Sequence, residues 1–215
     1  MRVMSEIEYF YSAHSAYAYI GARTLMDICQ RRGARLVHRP ILLSPVVEAA
    51  GGLSFRGRTQ GHVDYFFGRE IERWSEWRGV EIVNFRPTYH DNPLELPNGF
   101  LIAAVEQGVD IDALSYAVLR AHWRDDADIA DADVLSGVAK AAGIDPEPLL
   151  AVALSDEIQG IHQRNTAEAI ARSLFGSPTY SVDGDLFYGQ DRLEFVERAL
   201  QKPFAPHNFT NPPVG

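Results

Sequence analysis

Residues Ile7–Tyr11 are apolar and aromatic, with the β-branched and ring side chains of a short buried strand. From Tyr17 the period lengthens. Tyr17, Ile20, Leu25 and Ile28 recur near helical spacing until Gly33, a residue suited to a helix C-terminus. Arg35–Pro40 (RLVHRP) alternates again and ends on proline, so a second strand is expected, parallel to the first in a β-α-β unit.

The stretch ILLSPVVEAAGGLSFRGRTQGH loses all periodicity and reads as a loop, with Gly51-Gly52 and two arginines, Arg56 and Arg58. From Val63 a helix is expected, with Tyr65, Phe66, Ile71, Trp74 and Trp77 on one face and an end near Gly79. Residues 80–96 read as irregular. Helices follow over about 97–107, 112–124 and 132–142, with Asp112 and Asp131 as N-caps and Gly108 and Gly143 at C-termini. Another is expected to open at Asp145-Pro146, and a last one over Asp156–Phe175 with Glu168 and Arg172 spaced to pair. Thr179–Val182 and Leu186–Tyr188 then flank Asp183-Gly184, a strong hairpin signal. A final helix begins around Gln190–Glu194, with Phe195, Val196, Ala199 and Leu200 as its inner face, and FAPHNFTNPPVG forms an extended tail. The order is β-α-β, a helical block, then β-β-α.

Composition narrows the function. With 215 residues and 46% hydrophobic content, the chain has ample material for a core. A net charge of −9 and the lack of a basic stripe argue against nucleic-acid binding. No apolar run approaches a membrane span, and MRVMSEIEYF lacks the apolar core of a signal peptide. The single cysteine cannot form an internal disulfide, so a reducing, cytoplasmic setting is expected.

Chemistry concentrates at Ser12, Ala13, His14 and Ser15, between the first strand and the first helix. A helix start carries unpaired N–H groups that favour an anion or thiolate in front of it, although a serine there is first of all an N-cap. His14 abuts Ser15 and could polarise it. Cys29 lies mid-helix and reads as a packing residue. Trp74, Trp77 and Trp123 read as core. The seven histidines show no metal spacing, so no metal is expected, and there is no Gly-x-Ser-x-Gly elbow.

Two stretches carry a resemblance. EYFYSAHSAYAYIG resembles the ELFYxxxSPYSxLG-like opening of 2-hydroxychromene-2-carboxylate isomerases and kappa-class glutathione transferases, relatives of the DsbA-type disulfide oxidoreductases. NTAEAIARSLFGSPTYSVDGDLFYGQDRLEFVERAL resembles the ending of the same family over its whole length, as does the intervening RAHWRDDADIADADVLSGVAKAAGID. In the register that keeps strand and Tyr-x-Tyr together, Ser15 takes the place of the active serine. A rival register sets Ser12–Ser15 on the Cys-Pro-His-Cys of the oxidoreductases, with both cysteines lost.

The resemblance implies an α/β thioredoxin-like fold with a large helical insertion of the DsbA or kappa type. Residues 1–44 and 174–203 would form the thioredoxin-like domain, 45–173 the insertion and 204–215 the tail. It further implies glutathione as cofactor. Ser15 would stabilise its thiolate, the backbone of Ser177 before a cis Pro178 would pair with its cysteinyl part, and Gln190 and Asp191 would hold its γ-glutamyl end. Asp191 also fits Asp-x-x-Glu at a helix start, an N-cap pattern. The family's loop asparagine and lysine are missing, and Gly51-Gly52 and His62 stand there instead. Arg56, Arg58, His62 and His14 are the candidate anion or substrate contacts.

The implied activity is cis-trans isomerisation of a conjugated aromatic 2-oxo acid, a small-molecule substrate, by a protein that pairs as a homodimer. A kappa-like transferase and a non-catalytic glutathione binder stay open. A disulfide oxidoreductase is disfavoured, since no Cys-x-x-Cys exists.

Overall fold

In a computed structural model, which describes residues 5–53 and 55–214, β1 (Glu6–Tyr11) runs through the middle of a four-stranded sheet. Residues 1–4, Ser54 and Gly215 fall within the expected domain ranges and loop but outside the described residues. β1 alternates its side chains between two faces. Tyr9 and Tyr11 join the large core, whereas Phe10 joins a smaller cluster with Ile41, Val46, Ala169 and Leu174.

Helix α1 (Ala16–Arg32) follows at once, with Ser15 as N-cap and Gly33 in the left-handed region at φ 61° as its stop. It returns the chain to β2 (Arg35–Pro40), which pairs in parallel with β1 from Glu6↔Arg35 to Tyr11↔Pro40. On the other side of β1 lies β3 (Thr179–Val182), antiparallel, and then β4 (Asp185–Tyr188). The order is β2-β1-β3-β4. Asp183 and Gly184 both take positive φ, 50° and 87°, the requirement of a tight two-residue hairpin.

Between β2 and β3 the described residues are helical or irregular. The helices are α2 (Leu43–Ala49), α3 (Gln60–Asp64), α4 (Glu70–Arg78), α5 (Glu95–Glu106), α6 (Asp112–Trp123), α7 (Ala132–Ala141), α8 (Glu147–Val152) and α9 (Asp156–Ala171). α10 (Leu193–Gln201) follows β4 through a 3₁₀ turn, Gln190–Arg192. Gly21 lets α1 and that turn touch: a Cβ there would lie 2.6 Å from Gln190 Cβ.

Several expectations need correction. The stretch after β2 is not wholly loop: α2 forms because Val46 is fully buried in the smaller cluster, and Pro45 sits in its first turn, where a missing N–H costs nothing. A π-helical turn, Tyr65–Arg69, joins α3 to α4; α4 buries Ile71 and Ser75, one turn apart, and Tyr65 and Trp77 are exposed. Asp112 does not cap α6; Ile111 occupies that position, and Asp112 Oδ1 instead meets His38 Nε2 at 2.8 Å. α9 ends at Ala171, short of Phe175. Phe195 does not face inward on α10. It is exposed and packs against Phe204 of the tail, while Leu193, Val196 and Ala199 are buried. Residues 202–214 carry no regular structure, and no helix among the described residues is long and apolar enough to cross a membrane.

Candidate functional site

A cavity of about 650 Å³ opens where the β1–α1 junction meets the loop before β3. Its sheet-side wall comprises His14, Ser15, Ala16, Tyr17, Gly176, Ser177 and Tyr188. The facing wall comes from residues 43–91, chiefly Leu53, Phe55, Arg58, Phe66, Phe67, Phe85, Arg86 and His90, and Trp123 of α6 closes one end. Aromatic and aliphatic side chains make up the larger part of the lining, and charged groups of both signs, Arg58 and Arg86 with Asp64, Glu72 and Asp91, are set among them.

Ser15 is nearly buried at the start of the 17-residue α1. Its Oγ accepts from the Ala18 N–H at 3.3 Å and donates to the Ser177 carbonyl at 3.2 Å. The bland cap is therefore real, yet the same oxygen lies in the cavity wall. Ser12 differs. It is fully buried outside the cavity lining, its N–H donates to Ser177 Oγ at 3.1 Å, and its Oγ meets His14 Nδ1 at 2.9 Å. The structure thus corrects the pairing of His14 with Ser15: the imidazole is bonded to Ser12.

The Ser177–Pro178 peptide is cis. Among the described residues the Ser177 N–H has no hydrogen-bond partner, and its C=O meets only the Ser15 hydroxyl. The junction loop is pinned from below by Asn98 of α5. Its Oδ1 accepts from the Ala13 N–H at 3.0 Å, and its Nδ2 donates to the Ile41 carbonyl and to His162 Nε2.

Gln190 and Asp191 sit beside the cavity rather than in its lining. Gln190 is buried and receives the Arg78 guanidinium on Oε1 at 3.0 Å and on its backbone oxygen at 3.1 Å, while its Nε2 has no partner. The N-cap reading of Asp191 is corrected. It lies inside the 3₁₀ turn, makes no cap bond, and its carboxylate is paired with Arg192. Its charge reaches the cavity wall, where together with burial it raises the phenols of Tyr17 and Tyr188.

The arginines part ways. Arg58 lines the cavity: its guanidinium lies 5.3 Å over the Phe67 ring, donates to His62 Nε2 at 2.8 Å, and keeps a buried Nε without a partner. His62 itself is exposed and acts through Arg58. Arg56 is absent from the cavity lining and faces an adjoining hollow with Phe55, Arg86 and Asp91, which border both. Arg86 lines the cavity too, but both its terminal nitrogens bind Asp91, at 2.7 and 2.6 Å, which holds that carboxyl below the usual range. Of the two arginines in the cavity lining, Arg58 is thus the one whose guanidinium has no carboxylate partner among the described residues.

Sequence reasoning missed His90, His122 and Asn98; Trp123 belongs to the core as expected and also borders the cavity. The His90 ring lies tilted against His14 with 4.7 Å between centroids, its Nδ1 meets His122 Nε2 at 2.9 Å, and Trp123 Nε1–H donates to the His14 carbonyl at 2.8 Å. Burial above all pushes His14 down to about 3, His90 to about 2 and His122 to about 4, with Arg86 contributing in each case. No periodic signal links residues 14, 90 and 122, so spacing alone could not find them. No group of three or more metal-binding side chains with metal geometry exists among the described residues. Cys29 is buried and its thiol pushed up to about 12, the mark of an inert packing cysteine.

Comparison with known proteins adds the lineage. The DSBA-like thioredoxin domain matches residues 6–201. A 2-hydroxychromene-2-carboxylate isomerase of Sphingobium xenophagum is 26% identical over 201 residues, covering 90% of this chain and 97% of that one. Its namesake in Pseudomonas putida is 24% identical, covering 90% and 93%. A solved 2-hydroxychromene-2-carboxylate isomerase superposes with a TM-score of 0.77 at 23% identity, over 92% and 95% of the two chains. The cytosolic disulfide reductase DsbM of Pseudomonas aeruginosa, solved with GSH, gives 0.60 at 17% over 92% and 93%. The architecture is thus an α/β thioredoxin-like fold of the DsbA type.

Proposed function

The chain belongs to the DSBA-like thioredoxin domain family, and on that premise we propose that it is a glutathione-dependent isomerase of a conjugated aromatic 2-oxo acid. The carrying observation is the juxtaposition, in one cavity, of a serine hydroxyl at a long helix's N-terminus with the backbone of Ser177. The chain's own residues fit a γ-glutamyl-cysteinyl peptide. Among the described residues the Ser177 N–H lacks a partner, and its C=O becomes free once the Ser15 hydroxyl turns away, so an extended peptide can pair with both. Gln190 Nε2 is an orphaned buried donor, and Asp191 is a carboxylate beside the wall, suited to an ammonium.

When bound, glutathione supplies a thiolate that adds reversibly to the conjugated double bond, which becomes single and rotates before the thiolate leaves. The chain's task is to keep that sulfur ionised. A free thiol titrates near ~8.5, and the Ser15 O–H, backed by the first-turn N–H groups of α1, favours its charged form. Arg58, with its spare Nε and a Phe67 ring beneath it, takes the carboxylate of the substrate. The aromatic lining holds the ring and keeps water out.

Calorimetric titration with glutathione, followed by turnover of 2-hydroxychromene-2-carboxylate, tests the proposal. Isomerisation that requires glutathione and leaves its concentration unchanged is expected. Consumption of glutathione would make the protein a transferase, and binding without turnover of any such acid would leave a binding protein.

A further inference from the structure

Ser12 and His14 determine one another's protons. Ser12 Oγ is fully buried, and among the described residues its one hydrogen-bond partner is His14 Nδ1, at 2.9 Å. A buried hydroxyl with a single partner must give that partner its proton, because the opposite choice leaves the O–H unsatisfied at a cost of roughly 1–3 kcal/mol. Nδ1 is therefore the acceptor, and the neutral ring carries its hydrogen on Nε2. The ring is held by Ser12 at Nδ1 and by the tilted His90 ring 4.7 Å away, while Trp123 fixes the backbone of His14 through its carbonyl. Nε2 has no partner among the described residues, and His14 lines the cavity next to Ser15. A fixed, neutral N–H donor thus stands in the wall beside the proposed sulfur position.

The chemistry proposed above has a use for such a donor. When any nucleophile adds to the far carbon of the conjugated double bond, the new bond takes the nucleophile's pair. The π pair moves along the chain onto the 2-oxo oxygen. When the nucleophile leaves, that pair returns and the carbon–carbon double bond re-forms. Nothing is oxidised, and no proton need be transferred. Negative charge on that oxygen is the quantity a preorganised donor stabilises.

We propose that His14, oriented by Ser12 and buttressed by His90, donates Nε2–H to the 2-oxo oxygen of the substrate as charge develops there, a catalytic role that rests on the isomerase reading. A neutral imidazole suits the role better than an imidazolium. It donates without a proton to lose to the solvent, and it adds no positive charge that would bind the ground state equally well.

Nitrogen NMR of the His14 ring, with no glutathione present, tests the premise. Between about pH 5 and 8, where an ordinary histidine titrates, the ring should stay in the Nε2–H form. Its Nε2 resonance should move on adding benzylidenepyruvate. An imidazolium, an Nδ1–H tautomer or an unmoved Nε2 signal overturns the proposal. His14→Phe should lower kcat about 10²-fold, the scale for one lost donor. Affinity for glutathione should hold, whereas the unfolding midpoint should fall, because the buried Ser12 hydroxyl loses its partner. His14→Gln, which keeps an N–H donor, should recover a measurable part of kcat. Equal loss in both variants, or none in His14→Phe, assigns His14 to structure alone. Should the wild type fail to isomerise 2-hydroxychromene-2-carboxylate, the functional reading falls, and the response of Nε2 to benzylidenepyruvate decides the donor role by itself.

Discussion

The cavity has two walls of different origin. The sheet-side wall is built from chain ends of regular elements: the β1–α1 junction, the cis peptide before β3, and the close of β4. Its positions are set by backbone register, and its key groups are backbone or short side chains. The opposite wall comes from residues 43–91, where short helices, a 3₁₀ turn, a π turn and irregular chain succeed one another. Its working groups are the tips of long side chains, such as Arg58 and Phe67. On the proposed function, the first wall would fix the geometry of the reacting groups and the second would adapt shape and charge to the substrate. In this chain that second wall is also where the family's loop residues are replaced.

The sharpest way to break this division is at Ser15. Ser15→Ala should cut turnover by about 10²-fold and raise the apparent pKa of the bound glutathione thiol, measured by thiolate absorbance. Ser12→Ala, which removes no cavity-wall group, should leave that pKa in place. Reversal of the two results would give the thiolate to Ser12. On the other wall, Arg58→Gln should raise KM for the 2-oxo acid about 10-fold, the scale of one charge-assisted hydrogen bond, with glutathione affinity unchanged. Arg56→Gln is the control, because Arg56 lies outside the cavity lining and should change neither value. A larger effect from Arg56 than from Arg58 would reverse the assignment.

A smaller effect is expected at Asp191, which belongs to neither wall. Its carboxylate is paired with Arg192 and makes no cap, so Asp191→Asn should leave the unfolding midpoint almost unchanged. Affinity for glutathione should fall several-fold, on the order of 1 kcal/mol for a partly exposed ion pair. An analogue lacking the γ-glutamyl amine should bind both proteins alike, and equal weakening for both ligands would remove the ammonium contact.

Legibility in the sequence follows the same division. β1, α1, β2, the hairpin and the last helix were readable because local period and turn residues determine them: Gly33 at a helix stop, Asp183-Gly184 at a hairpin. The order of those elements and two family-like stretches carried the fold. Ser15 and Ser177 were legible as positions, yet the hydrogen bond between them, 162 residues apart in sequence, was not. The misses share a cause. Trp77 and Phe195 were placed inside by periodicity, but α4 buries Ile71 and Ser75 and leaves Trp77 exposed, and Phe195 packs against a tail phenylalanine. Asp112 and Asp191 stand where caps belong by pattern, and each found a better partner, His38 and Arg192. His14, His90 and His122 converge from three separate segments, which no local pattern encodes.

The mildest test concerns that histidine row, which spans both walls, and its sign can be worked out. The three rings are held below the ordinary histidine value near ~6.5, His122 at about 4, His14 at about 3 and His90 at about 2. A group whose folded pKa is depressed leaves the unfolded chain holding more protons in the interval between the two values. Stability therefore falls as pH drops through ~6.5 toward ~4. The neighbouring carboxyls of Asp91 and Asp126 do not mask this window, because hydrogen bonds hold both below the usual carboxylate range. Denaturant unfolding at pH 7 and pH 5 should show the wild type losing stability in the acid. His122 is the cleanest position to vary, since it is buried and does not line the cavity. Its share is at most about 1.4 kcal/mol per pH unit, the value of one proton. In His122→Gln the loss between pH 7 and pH 5 should shrink by up to that amount per unit, whatever the variant's stability at pH 7. An unchanged acid loss would mean that His122 takes up its proton in the folded protein as readily as in the unfolded chain.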